Sequence, residues 1–176
     1  MVHITHNKHR LLELTIHIIC WGLFFGFPLF FTQDDSGSID WREFINHSGV
    51  SLSFFVIFYI NYLLFIPKVL FKEHTGQFIL LNILLILVVS IGLRYWHNII
   101  AFPPPAPRRP HLPPQYIFYI RDITSMIFTV GLSVAIRMSL RWSATELERR
   151  EAVKSRTEAE LKNLRNQLNP HFLLNT

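Results

Sequence analysis

The stretch QFILLNILLILVVSIGLRYWHNII, residues 77–100, decides the fold of this chain. It is longer than the roughly 20 apolar residues that a helix needs to cross a bilayer, and Arg94 is its only Lys, Arg, Asp or Glu. Such a run predicts a membrane-spanning helix. Three further stretches are also apolar and long enough: residues 11–31, 44–66 and 116–136. The sequence therefore predicts an all-α membrane protein with a four-helix transmembrane domain at residues 11–137.

Composition supports this division of the chain. Half of the residues are hydrophobic and 16% are charged, whereas a soluble domain has about 25% charged residues. The charge is concentrated after residue 137, and no cleavable signal peptide is recognisable in the first apolar run. The net charge of +5 comes mainly from basic residues beside the apolar stretches. We therefore expect contact with a lipid bilayer and no direct binding of nucleic acid.

The positions of Lys and Arg predict the orientation in the membrane. Basic residues lie before the first stretch, between the second and the third, and after the fourth: Lys8, Arg10, Lys68, Lys72, Arg137 and Arg141. The opposite side has Arg42, Arg108 and Arg109 together with several aspartates. This bias predicts that both termini are cytoplasmic, including the tail at residues 1–10.

Charged residues at membrane depth are candidates for sensing a signal. Arg94 lies near the outer end of the third stretch, and Arg121 and Asp122 lie at a similar depth in the fourth. We expect an ion pair between Arg94 and Asp122, because a charge inside a membrane is costly unless it is paired. Such a pair could be a signal-sensitive latch or an anion site. It could equally be a fixed salt bridge or an interfacial anchor.

A second polar layer is predicted nearer the cytoplasmic side. His17, Asn61 and Asn82 lie in three different stretches at comparable depth, so hydrogen bonds between helices are expected there. In the N-terminal tail, His3, His6 and His9 recur every third residue. No Cys or carboxylate accompanies them, and we expect no metal site.

Residues 138–166 predict a signalling coiled-coil helix. They contain no Pro or Gly and are rich in Glu, Lys, Arg, Ala and Leu. Five residues recur at a spacing of seven and form a possible dimer seam: Leu140, Leu147, Lys154, Leu161 and Leu168. Leu164 adds a second position to this seam. This pattern favours a parallel homodimer with a weak middle at Lys154. A solvated single helix is the alternative.

The last ten residues carry a specific motif. Gln167 and Leu168 lead into Asn169-Pro170-His171-Phe172-Leu173-Leu174-Asn175-Thr176. This run resembles the phospho-acceptor box of the LytS/YehU-type sensor histidine kinases, Q-(I/L)-N-P-H-F-L-(F/L)-N-(T/S). The resemblance implies that residues 167–176 begin the phospho-acceptor and dimerisation domain. It also implies that His171 accepts the γ-phosphoryl group of ATP and that Asn175 supports the transfer.

The resemblance also implies that the complete protein uses ATP and Mg²⁺ and forms a homodimer. It implies a response regulator as partner, commonly of the LytTR type, and a location in the bacterial inner membrane. The chain contains no Gly-rich nucleotide-binding box and ends five residues after His171. We therefore expect it to be a part of a longer kinase, truncated before the ATP-binding domain and inactive by itself. A non-enzymatic membrane receptor or scaffold is the main alternative, and a transporter or channel is a third.

Overall fold

The computed structural model describes residues 2–30, 32, 37–100 and 114–167, and every element in these ranges is helical. The α-helices are α1 (Val2–Gly26), α2 (Trp41–Ile60), α3 (Ile66–Lys68), α4 (Thr75–Ile100) and α5 (Gln115–Gln167). A π-helix (Asn61–Phe65) joins α2 to α3, and short 3₁₀-helices follow α1 (Phe27–Phe30) and α3 (Leu70–Lys72). The expected all-α class is confirmed for these parts of the chain.

The chain divides into two compact units, Met1–Val134 and Ala135–Thr176. The first unit contains α1 to α4 and the beginning of α5. The second contains the rest of α5, whose described side chains from Met138 to Gln167 are all exposed.

A side-chain cap fixes the start of α2. The Asp40 carboxylate accepts hydrogen bonds from the backbone N–H groups of Arg42 (2.9 Å) and Glu43 (3.2 Å). These N–H groups have no partner within the helix, and such a cap contributes about 1 kcal/mol. The sequence stretch Asp40-Trp41-Arg42 is therefore a helix start, a few residues before the apolar run at residue 44.

The apolar run at residues 44–66 is followed by Pro67, which predicts the end of the helical segment, and α3 ends at Lys68. After α3 ends at Lys68, Val69 leaves the helical conformation (φ −120°), a short 3₁₀-helix covers Leu70–Lys72, and Glu73 follows in a left-handed conformation (φ 66°). Proline lacks an N–H group, and its ring clashes with the carbonyl four residues earlier in a regular α-helix. The π-helix Asn61–Phe65 comes immediately before Pro67, and its wider turn, with the Ile66 N–H bonded to the Asn61 carbonyl, gives that ring room.

The helix pair α2 and α4 forms the centre of the first unit. The Trp96 indole N–H donates to the Ile45 carbonyl (3.1 Å), and Arg42 Nε donates to the Ile100 carbonyl (3.0 Å). Gly49 is buried directly beneath the Trp96 ring. The two helices can therefore approach closely at this crossing, because no Cβ separates them.

A small apolar core lies next to this crossing. It contains Ile57 of α2, Leu93 of α4 and Met126 of α5, all buried, with Phe54 and Val130 packed against it. Large apolar side chains are otherwise abundant on the outside of the helices, such as Leu80, Val88 and Ile99 of α4. This arrangement suits helices that face lipid.

Three helical segments in the described part of the chain are long and apolar enough to cross a membrane: Trp41–Lys72, Thr75–Ile100 and Tyr116–Gln167. The first predicted stretch contains a shorter apolar helical segment, Leu14–Phe30. These findings are consistent with a membrane protein. The fourth crossing and the coiled coil stay predictions.

Candidate functional site

The charged residues expected at one depth are arranged differently from the prediction. The guanidinium group of Arg121 donates two hydrogen bonds to Asp122 Oδ1, from Nε at 2.9 Å and from a terminal nitrogen at 2.8 Å. The expected pair between Arg94 and Asp122 is therefore wrong. Asp122 is satisfied by its own neighbour in α5, and a partner one residue away needs no particular packing between helices.

Arg94 has an aromatic partner instead. Its guanidinium carbon lies 5.6 Å from the centre of the Tyr119 ring, so α4 and α5 meet here through a cation–π contact. The contact holds Arg94 in place without neutralising its charge.

Below this contact, an apolar groove of about 640 Å³ lies between α4 and the first part of α5. On α4 the groove runs from Phe78 to Arg94, and on α5 it runs from Tyr119 to Val130. Its walls are largely side chains of isoleucine and leucine, half-exposed to the groove. Among the residues that the structure describes, Arg94 is the only charged one in the lining.

The hydrogen bonding between helices that was predicted for the second polar layer is confirmed for its two asparagines. Asn61 Nδ2 donates to Asn82 Oδ1 at 2.8 Å and to the Ile57 carbonyl at 3.0 Å. Asn82 Nδ2 donates to the Phe78 carbonyl at 3.0 Å. Asn61 is fully buried and begins the π-helix. The pair thus links α4 to the irregular turn that follows α2.

His17, the third member of that layer, has a different partner. Its Nδ1 lies 3.2 Å from the Tyr59 hydroxyl, which joins α1 to α2. The two side chains line a pocket of about 410 Å³ with Trp21, Phe55 and Tyr62. The rings pack against one another, with Trp21 and Phe55 centred 4.9 Å apart. We attribute this cluster to packing of α1 on α2.

The second unit presents charge and isolated apolar side chains. Three ion pairs join residues four apart on α5: Glu146 with Arg150, Lys154 with Glu158, and Arg156 with Glu160. These exposed pairs add only a few tenths of a kcal/mol each to the helix. Of the predicted seam, Leu140, Leu147, Lys154, Leu161 and Leu164 are all exposed on this single chain.

Several predicted residues lie outside the part of the chain that the structure describes. His171, Asn175 and Leu168 are among them, as are the side chains of the N-terminal histidines His3, His6 and His9. Within the described ranges, no three His, Cys, Asp or Glu side chains are grouped closely enough to hold a metal ion.

Comparisons with known proteins add no assignment to these sites. A scan against protein-family models, a search of curated proteins and a search of solved structures found no match to this chain.

Proposed function

We propose that the chain is the membrane sensor and the first part of the phospho-acceptor domain of a bacterial two-component histidine kinase. The observation that carries the proposal is the sequence Asn169-Pro170-His171-Phe172-Leu173-Leu174-Asn175-Thr176, which begins two residues after the end of α5 in the sequence. In this proposal the first unit receives a signal in the inner membrane. Both termini lie in the cytoplasm, where ATP and the response regulator are found.

The proposed reaction transfers a phosphoryl group from MgATP to His171. A ring nitrogen of neutral His171 attacks the γ-phosphorus, an N–P bond forms as the bond to the ADP oxygen breaks, and the ring proton is lost. The phosphoryl group then passes to an aspartate of a response regulator, by resemblance one of the LytTR type. Asn175 would face the same side as His171 if the helix continues, since residues four apart share a face.

The shape of α5 supports a role in signal transmission. It begins in the first unit, where Met126 packs into the apolar core, and extends as one helix to Gln167. A change in the packing of Met126 would therefore act on the same helix that precedes the phospho-acceptor box. Homodimerisation through the seam would place two such helices side by side.

Phosphorylation of the native protein, expressed from its own gene with the whole downstream reading frame, tests the proposal. With labelled ATP and Mg²⁺ we expect label on the wild-type protein and none on His171→Gln. The matched control is His74→Gln, because His74 is an exposed histidine in the turn before α4 and should not affect the label. Equal labelling of wild type and His171→Gln would refute the assigned acceptor.

A second prediction concerns the seam in the second unit. Replacing both Leu161 and Leu164 with aspartate should weaken self-association at least about 100-fold, because two apolar side chains per helix lose their burial. The measurement is disulfide cross-linking through Lys154→Cys in a Cys20→Ser background. Asn163→Asp together with Asn166→Asp adds the same two charges on the opposite face and should preserve the cross-link. Cross-linking that survives both aspartates would exclude this seam.

A non-enzymatic receptor or scaffold is the second candidate function. The exposed leucines Leu147, Leu161 and Leu164 favour it, since they would also suit a helical partner of another kind. The reading frame that follows Thr176 discriminates between the two. A nucleotide-binding domain there supports the kinase, and a natural stop codon supports the scaffold.

A further inference from the structure

We propose that the groove between α4 and α5 binds a single-chain anionic amphiphile, namely a long-chain fatty acid. Its carboxylate would pair with Arg94, and its hydrocarbon chain would lie along the groove towards Phe78. The proposal concerns binding and stands independently of the kinase function. A role of this ligand as the stimulus would rest on that proposed function.

The charge of the groove favours an anionic group at one end only. Among the residues that the structure describes, Arg94 has no carboxylate partner within salt-bridge distance, because Asp122 is held by Arg121. The Tyr119 ring positions the guanidinium through its face and leaves its N–H groups available. Guanidinium and carboxylate groups form paired, charge-assisted hydrogen bonds. An unpaired cation at the end of an apolar groove therefore selects a carboxylate.

Two of the remaining polar side chains of the groove already have partners. Ser90 directs its hydroxyl to Met126 Sδ at 3.6 Å. The Asn82 amide donates to Phe78 and accepts from Asn61. The groove thus offers its charge at the Arg94 end and mainly hydrocarbon elsewhere. This polarity matches a molecule with one charged end and a long apolar chain.

The length of the groove also fits an acyl chain. At 1.5 Å per residue, the groove is about 16 Å long on α5, from Tyr119 to Val130, and about 24 Å long on α4, from Phe78 to Arg94. Half of a bilayer core is about 15 Å thick, which is the depth that one acyl chain covers. The volume of about 640 Å³ lies in the range of sites for small ligands.

A ligand with a single acyl chain fits the groove better than a phospholipid with two acyl chains. Its α4 wall has two adjacent rows at four-residue spacing, one through Asn82 and Ile86 and one through Ile83 and Leu87, whereas its α5 wall is mainly one row through Tyr119, Ile123 and Ile127. The α5 wall is therefore a narrow stripe along one helix face. A phospholipid would place one chain between these walls and leave its second chain outside.

The test measures binding of radiolabelled palmitate to the whole 176-residue chain in phosphatidylcholine nanodiscs. We expect saturable binding with one site per chain. Arg94→Gln should weaken it about 10- to 100-fold, since one charge-assisted contact is lost. Arg94→Lys should have a smaller effect, because it keeps the charge but loses the planar fork. Each variant is compared with wild type by thermal melting to establish that it is folded.

Two further variants separate the groove from the lipid-facing surface. Ile127→Trp places a larger side chain in the groove and should abolish saturable binding, whereas Leu132→Trp, on an exposed position of α5 outside the lining, should preserve it. Hexadecanol should not displace palmitate. Wild-type affinity in Arg94→Gln would overturn the proposal, and so would displacement by phosphatidylglycerol at equal or lower concentration, which would identify a phospholipid site. Absence of label on His171 in the kinase assay would leave the binding result unaffected.

Discussion

Gly49→Leu is expected to separate α2 from α4 and to lower the stability of the first unit by about 3 kcal/mol or more, the cost of overpacking a close contact. A Cβ at Gly49 would lie 3.0 Å from Trp96 Cγ and closer still to Cδ1 and Nε1. These atoms belong to a rigid ring, which cannot yield as the end of a flexible side chain can. Moving the ring would also break its hydrogen bond to the Ile45 carbonyl.

Thermal unfolding in detergent, followed by circular dichroism, measures this effect. A loss of about 3 kcal/mol should lower the Tm by roughly 6–12 °C in a chain of this size. The control is Gly92→Leu, the same substitution in α4 at a glycine whose Cβ would meet no atom within 4 Å. An equal decrease in both variants would show that the effect comes from leucine itself and not from the α2–α4 crossing.

The second large effect concerns the buried asparagine pair. Replacing Asn82 with leucine leaves the Asn61 amide fully buried with one donor unpaired, which should cost about 1–3 kcal/mol. Asn61→Leu should cost less. It leaves the Asn82 oxygen without its donor, but it also removes Asn61 Oδ1, which has no partner among the described residues.

The double variant, Asn61→Leu with Asn82→Leu, should be more stable than the sum of the single effects predicts. A coupling of about 1 kcal/mol is expected from hydrogen bonds between membrane helices. Unfolding by SDS in mixed micelles measures all four proteins of the cycle. Asn98→Leu, at an exposed position of α4, is the control and should change stability little. Strictly additive effects would mean that the pair contributes no interaction of its own.

The helices could be predicted because their signals are local. The apolar run at residues 77–100 coincides with most of α4, and Asp40 before Trp41 is recognisable as a helix cap. Pro67 predicts the end of the second helical segment, and α3 ends at Lys68, but the π-helix before it was not predicted. A proline in a regular α-helix ends or kinks it, whereas a π-helix at Asn61–Phe65 accommodates it, and nothing in the local sequence specifies that wider turn.

Contacts in the candidate sites could be predicted only where the depth of two residues in the membrane is enough to determine that they meet. Asn61 and Asn82 pair because both are polar and lie at the same level of neighbouring helices. The predicted depth in the membrane also suggested a pair of Arg94 with Asp122. Arg121 is adjacent to Asp122 in the sequence, and the rotation of the helices about their axes determines that Asp122 pairs with Arg121. The groove beside Arg94 depends on that same rotation and could not be read from the sequence. His171 is the opposite case, since its assignment rests entirely on the sequence motif.

The π-helix has a consequence for comparing this chain with its relatives. Its turn contains one residue more than an α-helical turn, with Ile66 bonded to Asn61 across five residues. A single inserted residue shifts the phase of everything after it by about 100°. The π turn absorbs that shift, so a relative that lacks one residue between Asn61 and Phe65 would form a regular α-helix there and present the same faces of the segment up to Lys72. An alignment without a gap at this point would pair buried positions in one protein with lipid-facing positions in the other.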